Sequence, residues 1–251
     1  MPSLGASPRN AWQVDARRCD LRRHRGAAGI AVPAAPQSVV CDPSRTGIVV
    51  IDIQNDFCHP SGWLASIGVD VTPTAAPIAV LVDLLPDLRA AGMPVVWLNW
   101  GNRPDRANLP PGVLHVYDPD GSSTGIGDPL PGAGPVLQAG SWGAAVVDTL
   151  VPAENDVAID KFRMSGFWDT PLDSVLRNLD LTTLLFAGVN VDQCVLATLI
   201  DAACAGYDCI LVADACATTS PPFCSEATLY NVKQCFGFVT DSAALRAGLQ
   251  R

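Results

Sequence analysis

The sequence contains few side chains that hold metals or act as bases near neutral pH. It has only three histidines, His24, His59 and His115, and no two of them lie four residues apart as in a helical metal site. Its nine cysteines form an odd set without a Cys-x-x-Cys pair, which argues against a zinc site and against a disulfide framework. We therefore predict free thiols, no catalytic metal and no cofactor, and any hydrolytic chemistry without a histidine base.

Long apolar runs are also missing, and basic residues are scarce outside the start of the chain. No apolar stretch approaches the ~18 residues of a membrane-spanning helix, and the opening residues lack the apolar core of a signal peptide. The formal net charge is -9, which does not suit a nucleic-acid surface. Part of the basic charge is grouped in the first segment: Arg9, Arg17, Arg18, Arg22, Arg23 and Arg25. We expect a cytoplasmic protein with neither nucleic acid nor membrane as a partner.

Residues 45–251 alternate between short β-branched runs and longer amphipathic stretches, as in βαβ units around a parallel sheet. The predicted strands are Thr46–Ile53, Met93–Asn99, Val157–Ile159, Thr183–Ala187, Cys209–Ala213 and Gly237–Thr240. Their continuous apolar character indicates strands buried on both faces. The sequence thus predicts one α/β domain at 45–251, preceded by a partly ordered N-terminal extension at 1–44 that is rich in Ala, Pro and Arg.

The predicted helices are Thr74–Ala91, Trp142–Leu150, Pro171–Asn178, Asp192–Ala205 and Cys224–Cys235. Thr170 is expected to cap the helix that has Pro171 in its first turn, and Gly92 and Gly206 occupy the positions of C-terminal glycines. Residues 101–140 are rich in Gly, Pro, Asp and Asn and predict a long loop, which in a compact domain commonly has a function.

Three reactive residues follow predicted strands. Asp52 closes the first strand, Lys161 follows the third and is one of only two lysines, and Cys194 follows the fourth. Because ligands bind at the carboxyl ends of parallel strands, we expect this acid, amine and thiol to meet in one cleft. Cys194 would also begin a helix, where the helix dipole and a nearby ammonium group are expected to lower the pKa of the thiol.

Each of these residues also has a purely structural interpretation. Cys194 alone is compatible with a small buried apolar side chain, Asp52 with a loop cap or an arginine partner, and Lys161 with an exposed strand end. Their convergence favours a functional site. We expect residues near the same strand ends to contact a substrate, since aromatic rings and a few polar groups commonly line pockets: Gln54, Phe57, Asn99, Trp100, Phe167 and Trp168.

Three strings resemble the signature blocks of the isochorismatase-like cysteine hydrolases: VVIDIQNDF, DKFRMSGFWDTPLDSVLR and GVNVDQCVLATLIDAACAGYDCILVADACAT. The resemblance runs from about Arg45 to Asp241, and the order and spacing of the blocks agree. It implies a three-layer α/β/α sandwich with a six-stranded parallel sheet.

The resemblance also implies a catalytic site. It assigns a triad to Asp52, Lys161 and Cys194, and a cis peptide bond to Val189 and Asn190. This bond would direct the N–H groups of Asn190 and Cys194 toward one point as an oxyanion hole. In this scheme Asp52 takes the thiol proton, the thiolate attacks a carbonyl carbon, and Lys161 orients Asp52 and favours the anionic states.

Two further features narrow the implied activity. Metal-binding nicotinamidases of this family carry Asp-x-His where this sequence has Asn99, Trp100 and Gly101, so the resemblance implies no catalytic metal. The strings SGFWDTPLDSVLR and NDFCHPSGW resemble the branch with ureidoacrylate amidohydrolases, biuret hydrolase, N-carbamoylsarcosine amidohydrolase and streptothricin hydrolase. The prediction is a cysteine amidohydrolase, a hydrolase of non-peptide C–N bonds, that cleaves a small amide, ureide or lactam through a thioester intermediate.

Two alternatives remain at this point. A catalytically silent member of the same fold would use the pocket to bind a small molecule or its thiols to sense redox state. An acyltransferase would share the thioester and differ only in the acceptor. The family resemblance also implies a homo-oligomer, without a copy number.

Overall fold

The computed structural model describes residues 1–7, 10–23 and 28–250. Arg9, His24 and Arg25, which the sequence analysis counted among the basic residues and histidines, lie outside the described residues. In chain order the strands are β1 (Ser3–Ser7), β2 (Asn10–Val14), β3 (Arg18–Asp20), β4 (Ile30–Val32), β5 (Ser38–Cys41), β6 (Thr46–Ile51), β7 (Val95–Trp100), β8 (Pro129–Leu130), β9 (Gly134–Pro135), β10 (Val157–Lys161), β11 (Thr183–Gly188), β12 (Asp208–Cys216) and β13 (Gly237–Thr240).

The helices of the described residues are α1 (Asn55–Cys58), α2 (Trp63–Ser66), α3 (Ala75–Ala90), α4 (Pro111–Leu114), α5 (Leu172–Asn178), α6 (Leu196–Cys204), α7 (Pro222–Asn231) and α8 (Ser242–Leu249). Two π-helical turns, Val191–Val195 and Val232–Phe236, precede α6 and follow α7, and two 3-10 turns lie at Pro43–Arg45 and Thr72–Thr74. Within the described ranges no helix combines the length and the apolar character needed to cross a membrane.

Six parallel strands form the central sheet in the order β10-β7-β6-β11-β12-β13. The two central strands, β6 and β11, are buried at every position, as expected when helices flank a sheet of β-branched and other apolar residues. The predicted α/β fold with a six-stranded parallel sheet is confirmed. Each predicted strand overlaps an observed strand, and the last matches it residue for residue.

Four of the five predicted helices are present, but the helix predicted at Trp142–Leu150 is wrong. This stretch forms turns whose backbone pairs with the chain after β6 instead of with itself. The N–H groups of Asn55 and Asp56 donate to carbonyl oxygens at 145 and 143, at 2.9 and 2.8 Å, and the N–H of Val147 donates to the carbonyl of Ile53 at 3.1 Å. Backbone groups used in this way are not available for a helix.

Gly92 and Gly206 end helices as predicted, with φ of +76° and +93°. This left-handed conformation is favourable only for glycine. At the other end of a helix, Thr170 also acts as expected: its hydroxyl oxygen accepts a hydrogen bond from the N–H of Leu172 at 3.1 Å. The helix itself begins at Leu172, one residue after the prediction.

The N-terminal segment forms a second sheet, which the sequence pattern did not predict. Its five strands lie in the order β1-β2-β3-β5-β4. Val32 and Val39 are fully buried, and an antiparallel bridge between Ala35 and Val239 joins this segment to β13. The segment thus covers the edge of the central sheet, which would otherwise present unpaired backbone groups. The division into an extension at 1–44 and a domain at 45–251 stays a prediction.

Candidate active site

Asp52, Lys161 and Cys194 come together at the carboxyl edge of the central sheet. Asp52 directly follows β6, Lys161 is the last residue of β10, and Cys194 lies in the π-helical turn after β11. Lys161 Nζ is 2.8 Å from Asp52 Oδ2, and neither side chain is more than 1% exposed. The Cys194 thiol interacts with both partners. The structure therefore brings together the three residues that the sequence analysis grouped.

The backbone of Asp52 has a positive φ of +53°. A residue with a side chain reaches this left-handed region at a cost of about 1–3 kcal/mol, and such residues concentrate at functional sites. Here the turn ends β6 while its N–H still donates to the carbonyl of Leu98 on β7 at 3.0 Å. The carboxylate is thus anchored to the sheet by its own backbone.

Lys161 lies in an enclosure built by its neighbours. Its Nζ is 4.5 Å from the centre of the Trp100 ring, a distance at which the ring face attracts a cation. The same nitrogen donates to the carbonyl of Arg163 at 3.2 Å. With Asp52, these contacts occupy the ammonium group, which has no access to water.

The acid and the amine shift each other's pKa in the buried site. Burial raises the pKa of the Asp52 carboxyl, and the charge of Lys161 and hydrogen bonds oppose that rise. Burial acts to lower the pKa of Lys161, but the charges of Asp52 and Cys194 outweigh it and raise this pKa. The amine therefore keeps its proton, and Asp52 is the group of this pair that accepts one.

The expected lowering of the Cys194 pKa is wrong. Burial raises the pKa of the thiol to about 12, with the charge of Lys161 opposing the rise and that of Asp52 adding to it. Cys194 lies at the fourth position of a π-helical turn and is only 5% exposed, so desolvation outweighs the helix end. The sulfur is a thiol at neutral pH, with its Sγ 3.7 Å from the Met164 sulfur. It needs a base to become a nucleophile.

A cis peptide bond joins Val189 to Asn190, between β11 and the turn that carries Cys194. The Asn190 side chain is held by the segment after β12, because its Oδ1 accepts from the N–H of Thr219 at 3.0 Å. The carbonyl of Asn190 accepts from the N–H groups of Gln193 and Val195 at 3.1 and 3.3 Å, which holds the backbone of the turn together. The assignment of the Asn190 and Cys194 N–H groups as an oxyanion hole stays a prediction.

Of the six residues expected to contact a substrate, two line a pocket at Cys194 and four do not. Phe57 and Trp100 line a small pocket at Cys194. Gln54 does not line it: its Nε2 donates to the carbonyl of Trp100 at 2.8 Å, and its Oε1 accepts from the N–H of Trp100 at 2.7 Å. Asn99 also lies outside this lining, although its Oδ1 is buried without a hydrogen-bond partner.

The last two of these residues face other parts of the molecule. Phe167 packs against Tyr207, with ring centres 6.0 Å apart. Trp168 is 63% exposed, and its indole N–H donates to the carboxylate of Asp201 at 2.8 Å. Neither ring lines the pocket at Cys194. Their position in the string SGFWD close to Lys161 predicted a place in the lining, but of this part of the chain only Met164 lines the pocket among the described residues.

Two cavities lie in front of Cys194. The inner pocket measures about 20 Å³, room for little more than a water molecule. The outer cavity measures about 720 Å³ and is large enough for a small-molecule substrate. The two share four lining residues, Val116, Tyr117, Met164 and Gln193. These side chains therefore separate the thiol from the larger space.

Gln193 connects the two sides of this boundary. Its Nε2 donates to the Tyr117 hydroxyl at 3.3 Å and to the Ser220 hydroxyl at 3.2 Å. Gln193 and Met164 were not among the residues expected in the site. Their positions in the motif strings could have indicated a place in the site. Gln193 directly precedes Cys194, and Met164 lies three residues after Lys161.

Among residues 1–7, 10–23 and 28–250, no group of three or more His, Cys, Asp or Glu side chains is arranged to hold a metal ion. The predicted absence of a catalytic metal stays a prediction. All nine cysteines are free thiols, and Cys204 and Cys235 are exposed.

Comparison with known proteins identifies relatives over most of the chain. The sequence is 36% identical over 222 residues to ureidoacrylate amidohydrolase RutB of Methylobacterium radiotolerans, covering 88% of this chain and 86% of that protein. It is also 36% identical to the protein of the same name from Methylorubrum extorquens AM1, covering 88% and 89% of the two chains.

Solved structures match in the same way. A cysteine hydrolase from Pseudomonas syringae pv. phaseolicola 1448A superposes with a TM-score of 0.71 at 27% identity, covering 84% of this chain and 94% of that one. N-carbamoylsarcosine amidase from Thermoplasma acidophilum superposes with a TM-score of 0.60 at 25% identity, covering 79% and 96%.

The family model described as the isochorismatase domain matches residues 46–244. This range begins with β6, ends inside α8, and includes the buried acid, amine and thiol. Since the match covers most of the chain and agrees with relatives above 30% identity, the protein belongs to the isochorismatase family.

Proposed function

We propose that this protein is a metal-independent cysteine amidohydrolase that cleaves a C–N bond of a small amide, ureide or lactam through a thioester on Cys194. The observation that carries the proposal is the fully buried ion pair of Asp52 and Lys161, 2.8 Å long, beside the Cys194 thiol. Ion pairs are seldom buried this completely without a function, because desolvation of both charges is costly.

The first half of the reaction forms the thioester. Asp52 accepts the proton of the Cys194 thiol, and the sulfur attacks the substrate carbonyl carbon. The N–H groups of Asn190 and Cys194 stabilise the oxyanion of the tetrahedral intermediate. As the intermediate collapses, the C–N bond breaks, and Asp52 returns the proton to the leaving nitrogen.

The second half regenerates the enzyme. Asp52 accepts a proton from a water molecule, and the resulting hydroxide attacks the thioester carbon. The C–S bond breaks, the acid product leaves, and the proton on Asp52 returns to the sulfur. Lys161 stays protonated throughout and favours the anionic form of Asp52.

The raised thiol pKa explains why a base is needed. With a pKa of about 12, Cys194 has almost no thiolate at neutral pH. Asp52 next to it must therefore accept the proton, and the positive charge of Lys161 stabilises the thiolate that forms. A neutral thiol at rest is also protected from oxidation and alkylation.

The chemical class follows from the relatives. The protein is a hydrolase that acts on carbon–nitrogen bonds other than peptide bonds, as are the relatives named ureidoacrylate amidohydrolase. A structural neighbour is named N-carbamoylsarcosine amidase. Both names describe small molecules with an amide or ureide group, and the 720 Å³ cavity accommodates substrates of this size.

The experiment that tests this function combines turnover with trapping of the intermediate. Cys194→Ala is expected to reduce ammonia release from ureides roughly 10³-fold or more, because no other group replaces the nucleophile. Cys204→Ala, which removes an exposed thiol, serves as the matched control and should keep full activity. Rapid-quench mass spectrometry should find the acyl adduct on the peptide containing Cys194. Full activity of a folded Cys194→Ala variant would exclude the mechanism.

We also propose that residues 45–251 form the catalytic domain, that 1–44 are an extension to it, and that the protein acts as a homo-oligomer in the cytoplasm. The family match at 46–244 supports this boundary. Light scattering coupled to size exclusion measures the oligomer mass, and a monomer at micromolar concentration would refute the assembly.

A further inference from the structure

The outer cavity in front of Cys194 has an unusual balance of charged side chains in its lining. Most of its wall is apolar and includes Val69, Leu196 and Ile200. Among the described residues, Asp192 is the only charged one in its lining. In the described part of the chain, no arginine, lysine or histidine lines either the outer cavity or the inner pocket.

Two cationic side chains close to the cavity, at the end of β10 and just after it, already have partners. Lys161 is paired with Asp52 behind the thiol. Arg163, next to the pocket residue Met164, donates to the carbonyl of Asn108 at 2.7 Å and lies 3.1 Å from the carboxylate of Asp169. Neither is free to bind an anionic group in the cavity.

Apart from Asp192, the polar side chains of the outer cavity are uncharged donors and acceptors. The amide of Gln193 donates to the hydroxyls of Tyr117 and Ser220. The N–H of Thr219 donates to Asn190 Oδ1. Groups of this kind match the N–H and C=O groups of a neutral amide or ureide, but they do not supply a counter-charge.

A substrate carboxylate in this cavity would lose its hydration and lie near the carboxylate of Asp192. Opposite charge elsewhere does not compensate, since the chain carries a net charge of -9. An uncharged substituent loses little on entering an apolar cavity, and a cationic one is attracted by Asp192. Charge is therefore the property by which this cavity would discriminate between substrates.

We propose that the site selects neutral or cationic amides and ureides with an apolar substituent, and discriminates against substrates that carry a carboxylate, such as the ureidoacrylate in the names of the relatives. This inference rests on the proposed function and adds the substrate class. Asp192 is the specificity-determining residue, and it acts through its charge on the distal part of the substrate.

The test compares three ureides with the same reacting head: 3-ureidoacrylate, its N,N-dimethylamide, and the corresponding amide with a trimethylammonioethyl group. We expect kcat/KM for the neutral and cationic compounds to exceed that for the anion by about ten- to a hundredfold, the range set by a like charge at close distance. A kcat/KM for 3-ureidoacrylate equal to or above that for the neutral amide would overturn the inference and leave the proposed function intact.

Two variants separate the local charge from the net charge. Asp192→Asn should raise the ratio of anionic to neutral kcat/KM by about tenfold, because the repulsion is removed. Asp201→Asn makes the same change in net charge on α6, where Asp201 bonds to Trp168 outside the cavity, and should leave that ratio unchanged. Equal effects of both variants would refute a role for Asp192.

Binding to the Cys194→Ala variant distinguishes this inference from the proposed function. Calorimetry with the three ureides should give tighter Kd values for the neutral and cationic compounds. If the natural enzyme hydrolyses none of the three while this order of affinity holds, the proposed function fails and the charge preference stands. Binding of the anion as tightly as the neutral amide, or no binding of any of the three, would overturn the charge preference.

Discussion

At the residue scale, Asp52 and Lys161 depend on each other. Lys161→Met removes the amine but keeps most of the apolar volume, so Asp52 is left as an uncompensated buried charge. We expect the free energy of unfolding to fall by about 3–5 kcal/mol. Urea denaturation measures this change. Lys233→Met, at the other lysine of the chain, is exposed and should change stability very little.

A double variant tests whether the loss comes from the pair. Asp52→Asn combined with Lys161→Met removes both charges and should be more stable than Lys161→Met alone. If the loss of unfolding free energy in the double variant equals the sum of the losses in the two single variants, the residues do not interact. This result would contradict the 2.8 Å distance between them.

The direction of the Asp52 pKa shift predicts the acid side of the pH profile. Burial raises the pKa of this carboxyl, so the protonated form persists to higher pH than for an ordinary aspartate. Because Asp52 acts as a base, activity is lost as the pH falls through this raised value. We expect the acid limb of kcat/KM to lie above the ordinary value of about 3.9. A limb at or below that value would contradict the assignment.

The thiol of Cys194 should respond slowly to alkylation in the absence of substrate. Its pKa is about 12, and it is 5% exposed, whereas Cys204 and Cys235 are exposed. With iodoacetamide near neutral pH, we expect the two exposed thiols to be modified first. Peptide mapping over time measures the order. First modification at Cys194 would indicate a thiolate at rest and a different route of activation.

At the scale of elements, the turns at 142–147 support the chain that follows β6. A Cβ on Gly143 would come within 2.3 Å of the Asp56 carboxylate, which accepts hydrogen bonds from the N–H groups of Leu137 and Trp63. We expect Gly143→Ala to destabilise the protein by about 1–3 kcal/mol through overpacking. Thermal unfolding of Gly143→Ala and of Gly112→Ala, whose Cβ meets no atom within 4 Å, gives the comparison. Equal melting temperatures would refute this support.

The elements show what the sequence could predict and what it could not. Strands such as β6 and β11 were predictable because both faces are buried, so every residue after the first, a threonine in each strand, is apolar. Asp52, Lys161 and Cys194 were predictable as a group because they follow parallel strands, whose carboxyl ends share one edge. The apolar pattern of the sequence was thus sufficient to predict the central sheet and the position of the three reactive groups at its carboxyl edge.

Features determined by contacts between distant segments were not predictable. The segment 142–147 has helical character in its sequence, but hydrogen bonds to residues 53–56 decide its conformation. The pKa of Cys194 depends on burial by side chains such as Met164 and Trp100, which no local pattern specifies. The short strands β1–β5 carry no sustained alternation, and their pairing comes from the sheet that they form together.

At the scale of the whole molecule, a largely buried ion pair joins the N-terminal segment to the central sheet. Arg23, in the segment before β4, binds Asp208 at the start of β12 through two hydrogen bonds of 2.7 and 2.9 Å. Their side chains are 11% and 3% exposed. The N-terminal sheet is therefore connected to the central sheet by charge as well as by the contact at β13.

Removal of this connection should destabilise the whole protein. Arg23→Met leaves the Asp208 carboxylate buried with weaker partners, and we expect a loss of about 3 kcal/mol in the free energy of unfolding. Chemical denaturation measures it, with Arg18→Met, whose side chain is 47% exposed, as the control. An unchanged midpoint for Arg23→Met would show that this ion pair contributes nothing to global stability.

The strand order has a consequence for how the chain is made. β6 leaves the ribosome before β11, its neighbour at the centre of the sheet, which is synthesised only after α1–α5 and β7–β10. Until then one edge of β6, which is apolar at every position after Thr46, has no permanent partner, and the nascent chain is exposed to wrong pairing. We therefore expect that chaperones which bind such strand edges during translation determine the fraction of this protein that folds to its active form.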